Sequence, residues 1–183
     1  MTQSVEVGWE MAISLYDATA SGYIQTLGAV AGFLEKARGY CRATGLDPEA
    51  LVESRIHPGM RPLRFQIVSV VHHSQGAIEG VRVGRFAPPP DRGPLNFESL
   101  HALVVDARSA IEQLDPGQVN DLQGRDVVFE VRDFKREFTV EGFLLSFSIP
   151  NFHFHATTAY DILRSHGVPI GKGDYLGHLR LKS

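Results

Sequence analysis

Eight histidines are the residues of this chain best suited to chemistry: His57, His72, His73, His101, His153, His155, His166 and His178. Imidazole titrates near neutrality and carries a nitrogen lone pair, so it can move protons or hold zinc, nickel, iron or copper. On a helix, positions three or four apart share a face and positions two apart do not. His155 then lies with Phe152, Ala159 and Ile162, all apolar, while His153 lines up with Thr157, Tyr160 and Arg164. His73 falls on an apolar stripe with Val70 and Ala77; His72 aligns with Phe65, Val68 and Glu79, a mixed set. Small neighbours of His73 (Ser69, Ser74, Gly76 and Ala77) leave space for a partner helix or for a bound ion and ligand.

Inward histidines on two different helices can meet inside a bundle, where metal sites are commonly built. A catalytic site needs about three protein ligands and an open position. Asn151 stands four residues before His155 on the same face, but an amide is a weak third donor. The competing reading is a His73–His155 pair satisfied by hydrogen bonds, and periodicity leaves both open. His57 in a turn, His101 at a stripe edge, His166 at a helix C-terminus and His178 in the tail read as structural or solvated. Cys41 occupies a stripe position with no cation beside it, so it reads as a buried hydrophobe. As the single cysteine it excludes an internal disulfide or a CxxC site. GxSxG, Walker, GxGxxG and HExxH patterns are absent from the sequence.

Four long helical segments must position these groups. The first carries Ala20, Tyr23, Leu27, Val30, Leu34, Ala37 and Cys41 at alternating steps of three and four, with Ser14 and Asp17 as cap and Gly45 as stop. Asp47-Pro48-Glu49 starts a short connecting helix. The second long helix runs from near Pro62 to about Val81, with Leu63, Ile67, Val70, Val71, Ala77 and Ile78 inward. Arg85 to Leu95, rich in proline, reads as a stiff extended connector. Asn96 caps the third helix, whose stripe is Phe97, Leu100, Val104, Ala107, Ile111 and Leu114, and Asp115-Pro116-Gly117 ends it. From Asp126 to Val140 the period falls to two, which predicts a β-hairpin turning at Asp133-Phe134. The last helix spans Phe143 to His166, with Pro150 as a kink or the true start, and Gly167 closes it. An all-α, antiparallel four-helix bundle with a small hairpin before the last helix is the economical fold.

The chain has 183 residues, 43% hydrophobic and 21% charged, which predicts a single domain over 1–183. Its 18 Lys and Arg against 21 Asp and Glu leave a formal charge of −3, so a nucleic-acid partner is not expected. Residues 1–14 carry Glu6 and Glu10, no Lys or Arg and no sustained apolar run, unlike a signal peptide. Gly142 to Phe154 is too short and too polar to cross a bilayer. A cytoplasmic protein with no membrane partner is the expectation.

Asn151-Phe-His-Phe-His155-Ala-Thr-Thr-Ala-Tyr160-Asp-Ile-Leu-Arg164, followed by Gly167-Val-Pro-Ile-Gly-Lys-Gly-Asp-Tyr-Leu-Gly177, resembles the C-terminal signature of a bacterial family of unknown function. That family belongs to the DinB-like and YfiT-like superfamily of four-helix-bundle metalloenzymes. Ser14-Leu-Tyr-Asp17 and Met60-Arg-Pro-Leu63 extend the likeness over nearly the whole chain. The resemblance implies a homodimer and a three-histidine site for a divalent transition metal such as zinc, nickel, iron or manganese. One ligand comes from the second helix and two from an HxxxH pair on the last. His73 matches the first position and His155 the end of that pair; Asn151 stands where the remaining histidine would be. His72, His153 and Tyr160 are the reserve pocket residues.

Superfamily enzymes include thiol-dependent transferases and a thiol-dependent isomerase, so the resemblance implies a small-molecule ligand and a thiol cofactor. Two functions are therefore carried forward. One is a metal-dependent small-molecule enzyme with its pocket between the second and last long helices. The other is a non-catalytic dimeric bundle with a decayed metal site, acting as a binding or stress-related protein.

Overall fold

Five helix starts among the described residues fall on side chains that accept a backbone N–H: Ser14, Asp47, Asn96, Asp115 and Thr139. In the computed structural model, which describes residues 13–182, Ser14 caps α1 (Leu15–Ala18) by accepting from the Asp17 N–H. The backbone breaks at Thr19 and re-enters helix as α2 (Ala20–Thr44), which Gly45 ends in the left-handed region at φ 74°. Asp47, with Pro48 at the first helical position, starts α3 (Pro48–Val52). The second long helix consists of α4 (Leu63–Val71) and α5 (Ala77–Val83), joined without interruption by a π turn, His72–Gly76. Strand β1 (Arg85–Phe86) follows, and then Asn96 caps α6 (Phe97–Glu112) by accepting the Ser99 N–H at 2.8 Å. After α7 (Pro116–Asn120) come β2 (Asp126–Val131) and β3 (Phe134–Thr139). Thr139 caps α8 (Val140–Phe143), which passes through a second π turn, Leu144–Ser148, into α9 (Ile149–Ser165); α10 (Lys172–Leu176) comes last. The leader reading over residues 1–12 lies outside the described residues.

Helical stripes expected from the sequence are buried, including Tyr23, Leu27 and Leu34 on α2, Leu63, Ile67 and Val70 on α4, and Leu100, Val104 and Ile111 on α6. Helix α2 packs on α6 and α9, and α4 packs on the same two helices. Burial of these stripes is the main driving force for the arrangement. No helix among the described residues is long and apolar enough to cross a membrane.

Four local expectations need correction. The chain is mostly helical rather than all-α, because a three-stranded sheet of order β1-β2-β3 forms. Arg85-Phe86, expected as the start of a connector, instead pairs in parallel with Val128-Phe129; two residues are too short to show a period. The hairpin turns at Arg132-Asp133, since Val131 pairs with Phe134 and Arg132 takes φ 51°. Alternation on both sides of a turn does not locate it. Asp115-Pro116 does not simply stop α6: Asp115 caps α7 by accepting the Gln118 N–H at 3.0 Å.

The last long helix begins at Val140, before either start expected for it. Proline in an α-helix lacks an N–H and crowds the carbonyl four residues back. The widened π turn just before Pro150 relieves that crowding, and the Ile149 N–H bonds to Leu144 O, five residues earlier. A cluster of phenylalanines fastens the sheet to this region: Phe86 to Phe143 at 4.9 Å and Phe129 to Phe147 at 4.9 Å between centroids. Phe86 is buried, whereas Phe134 at the hairpin tip is 44% exposed. Urea unfolding should show Phe86→Ala losing about 3–5 kcal/mol and Phe134→Ala less than about 1 kcal/mol. Equal losses would mean that the sheet is not anchored through Phe86.

Candidate functional site

The two π turns touch through His73 of the first, which meets Ser148 and Phe147 of the second. Each π turn leaves helix carbonyls without their usual partners. Within the first, the Ser74 hydroxyl donates back to Val70 O at 2.7 Å. Across to the second, the buried Ser148 hydroxyl donates to the His73 carbonyl at 2.8 Å. Gly76 gives the His72 ring room: a Cβ there would lie 3.0 Å from His72 Nδ1.

His73 and His155 meet. Their rings are nearly parallel, with centroids 6.0 Å apart and planes 18° from each other. His73 is buried, and its Nδ1 has no hydrogen-bond partner among the described residues. His155 is half-buried, and its Nδ1 lies 2.7 Å from Gln66 Oε1. Gln66 is itself buried and its amide nitrogen donates to Arg61 O at 2.9 Å, so its oxygen faces His155 as an acceptor. The His155 Nδ1 therefore carries the proton, and Nε2 keeps the lone pair. Phe86 and Phe147 stand 5.5 and 5.7 Å from His73, and Phe65 stands 5.7 Å from His155.

Burial, with His72 and His155 nearby, pushes the His73 imidazole down to about 3. Burial pushes His155 down to about 4. Both rings are neutral at pH 7, which is the form that accepts a proton or binds a metal.

Asn151 is half-buried one helical turn before His155 and donates its amide nitrogen to Phe147 O at 2.7 Å, which leaves Oδ1 as its other polar end. Two imidazole nitrogens and one amide oxygen would be the donors offered to a bound ion. No cluster of three or more His, Cys, Asp or Glu able to hold a metal occurs among the described residues. The unpartnered His73 Nδ1 and the oriented His155 ring fit a transition-metal ion, with Asn151 as the weaker third donor.

Of the reserve residues, His72 packs edge-on against His73, ring centroids 5.5 Å apart, while His153 and Tyr160 make their contacts elsewhere. His72 has Nε2 2.8 Å from Ala87 O and its ring stacked on Phe86 at 4.3 Å. It lines, with Phe86, a cavity of about 380 Å³. Exposed His153 approaches the Tyr175 hydroxyl at 3.2 Å, and Tyr160 packs edge-on to Tyr175 at 6.2 Å. Tyr160 also donates to Ile170 O at 3.4 Å, so these two side chains serve the C-terminal segment. Burial raises the pKa of the Cys41 thiol, in keeping with a packed hydrophobe. Gln66 and Ser148 lie outside the residues expected from sequence at the site. A glutamine between Leu63 and Val70 on an otherwise apolar stripe was the available signal for the first. No comparable signal marked Ser148.

The sequence profile of a family described as "Domain of unknown function (DUF1993)" matches residues 15–176. The crystal structure of a DinB family member protein from Shewanella denitrificans aligns with a TM-score of 0.78 and 24% identity, covering 92% of this chain and 95% of that one. At that identity the likeness shows the fold alone, and the fold is DinB-like. No curated protein matches the chain.

Both histidines are held below the ordinary pKa of about 6.5. Between about pH 6.5 and pH 4 the unfolded chain therefore binds more protons than the folded one, and stability falls as pH falls. With metal chelated, urea unfolding should lose up to about 1.4 kcal/mol per pH unit for each histidine across that window. His73→Phe with His155→Leu should flatten this dependence and hold or raise stability at neutral pH. An unchanged slope in that variant would place the protons elsewhere.

Proposed function

The chain belongs to the DUF1993 family, and on that premise we propose that it is a small-molecule enzyme centred on the His73–His155 pair. Its four long helices act as one antiparallel bundle, with the pocket between the α4–α5 helix and α9. The observation that carries the reading is the pair itself: two neutral imidazoles, rings 6.0 Å apart, one with a buried unpartnered nitrogen. Structural histidines usually have their buried nitrogens satisfied.

His73 and His155 would hold a divalent transition metal (zinc, nickel, iron or manganese), with Asn151 Oδ1 as the third donor. A bound ion would supply a Lewis acid that lowers the pKa of a coordinated water or thiol. The residues of the chain do the rest. Gln66 accepts a hydrogen bond from the His155 Nδ1–H and so leaves Nε2 as the nitrogen with the free lone pair. Ser148 fixes the His73 backbone. Phe65, Phe86 and Phe147 lower the local dielectric and keep both imidazoles unprotonated. The family resemblance extends the proposal to a thiol-dependent transferase or isomerase acting as a cytoplasmic homodimer. Phe154 and Leu145, 61% and 47% exposed on the last helix, supply apolar surface for a partner copy.

A second reading is favoured by one observation, the amide at position 151. In that reading the metal site has decayed and the protein is a non-catalytic binding or stress-related dimer. Reconstitution with each of the four metals, followed by desalting and metal analysis, separates the two. The enzyme reading expects stoichiometric metal in the wild type, its loss in His73→Ala and His155→Ala, and about tenfold or greater tightening in Asn151→His. Metal bound by Asn151→His alone would favour the decayed site. No metal in either protein would remove the metal reading altogether.

A further inference from the structure

The Gly167–Gly177 motif plays no part at the histidine pair, yet the fold fastens it firmly. Asp174 accepts from the Gly171 N–H at 2.8 Å and pairs with Lys36 of α2. Gln25 of α2 donates its amide to Leu176 O at 2.8 Å. These bonds hold the C-terminal segment over α2, and between them and α6 a cavity of about 260 Å³ remains.

We propose that this cavity is a second ligand site, one that takes the carboxylate or phosphate of a small molecule bearing an apolar body. Its charged lining is of one sign. Arg108 and Arg180 reach it together with His178, and neither Asp nor Glu lines it. Ser21 and Gln25 add polar groups, while Ile24 supplies an apolar wall. Glu112 engages only the Arg108 Nε–H, at 2.9 Å, so the two Nη groups have no hydrogen-bond partner among the described residues. Those groups form the planar edge that matches an oxyanion through two parallel hydrogen bonds.

Arg108 is also seated by shape. A Cβ at Gly28 would lie 3.3 Å from Arg108 Nη1 and 3.4 Å from Cζ, tighter than ordinary contact. A side chain at position 28 would push the guanidinium a few tenths of an ångström off the helix. A guanidinium seated in this way loses less freedom when it binds than one on a free surface arm. The site shares no residue with the His73–His155 centre, so its occupancy does not depend on the chemistry proposed there.

The test is an NMR titration of the whole chain with inorganic phosphate, phenyl phosphate and phenol. Saturable shifts at the Gly28 and Gly177 amides are expected with both phosphates and not with phenol. Phenyl phosphate should bind about tenfold more tightly than inorganic phosphate, because the apolar wall adds to the oxyanion contact. Arg108→Gln should weaken phenyl phosphate by about tenfold. Gly28→Ala retains every charge and should still weaken it several-fold by displacing the guanidinium. Both variants should keep the wild-type far-UV spectrum, since Arg108 and Glu112 form a pair at the surface. Shifts that fail to saturate, or affinities unchanged in Arg108→Gln and Gly28→Ala, would overturn the proposal.

Discussion

The site depends on the hydrogen bond that the buried Ser148 hydroxyl gives to the His73 carbonyl, 75 positions earlier in the chain. Both partners sit in π turns, where the regular ladder cannot satisfy every carbonyl. A buried carbonyl with no partner costs roughly 1–3 kcal/mol, so the two irregular turns are stable against each other and costly apart. Pro150 makes the second turn necessary, and Ser148 turns that necessity to use by reaching the first. The position of His73 follows from this contact, and with it the stacking on His155.

Desolvation sets the chemistry of the pair. A surface ion pair such as Arg64–Glu53 is exposed, screened and of small energetic consequence. Around His73 the neighbours are phenylalanines and the imidazoles of His72 and His155, so the charged form of the ring is disfavoured. Gln66 then decides which nitrogen of His155 is free, because its own amide is committed to Arg61 O. A neutral pair with one oriented lone pair is poised for proton transfer or metal ligation, which a hydrated pair would not be.

Much of this was visible in residue spacing. Apolar stripes on α2, α4 and α6 follow the helical repeat, and the same repeat placed His155 inward and His153 outward. Caps at Ser14, Asp47 and Asn96 followed from residue type. What spacing could not carry was anything set by contact between distant elements. Strand β1 exists only because Val128-Phe129 lies beside it. Asp115-Pro116 is locally as good a helix start as a stop. His153 and Tyr160 share a helix with His155 but are drawn to Tyr175 by the C-terminal segment. The Ser148 contact joins two departures from the helical repeat, and a method that assumes the repeat does not find them.

The central claim is that His73 and His155 form a neutral pair with His155 protonated at Nδ1 toward Gln66. Long-range proton–nitrogen correlation of the metal-free protein at neutral pH reads this directly. The account predicts two neutral imidazoles, with the His155 proton on Nδ1 and a Gln66→Leu variant that loses this tautomer preference. A protonated imidazolium at either position, or a His155 proton on Nε2, would contradict it.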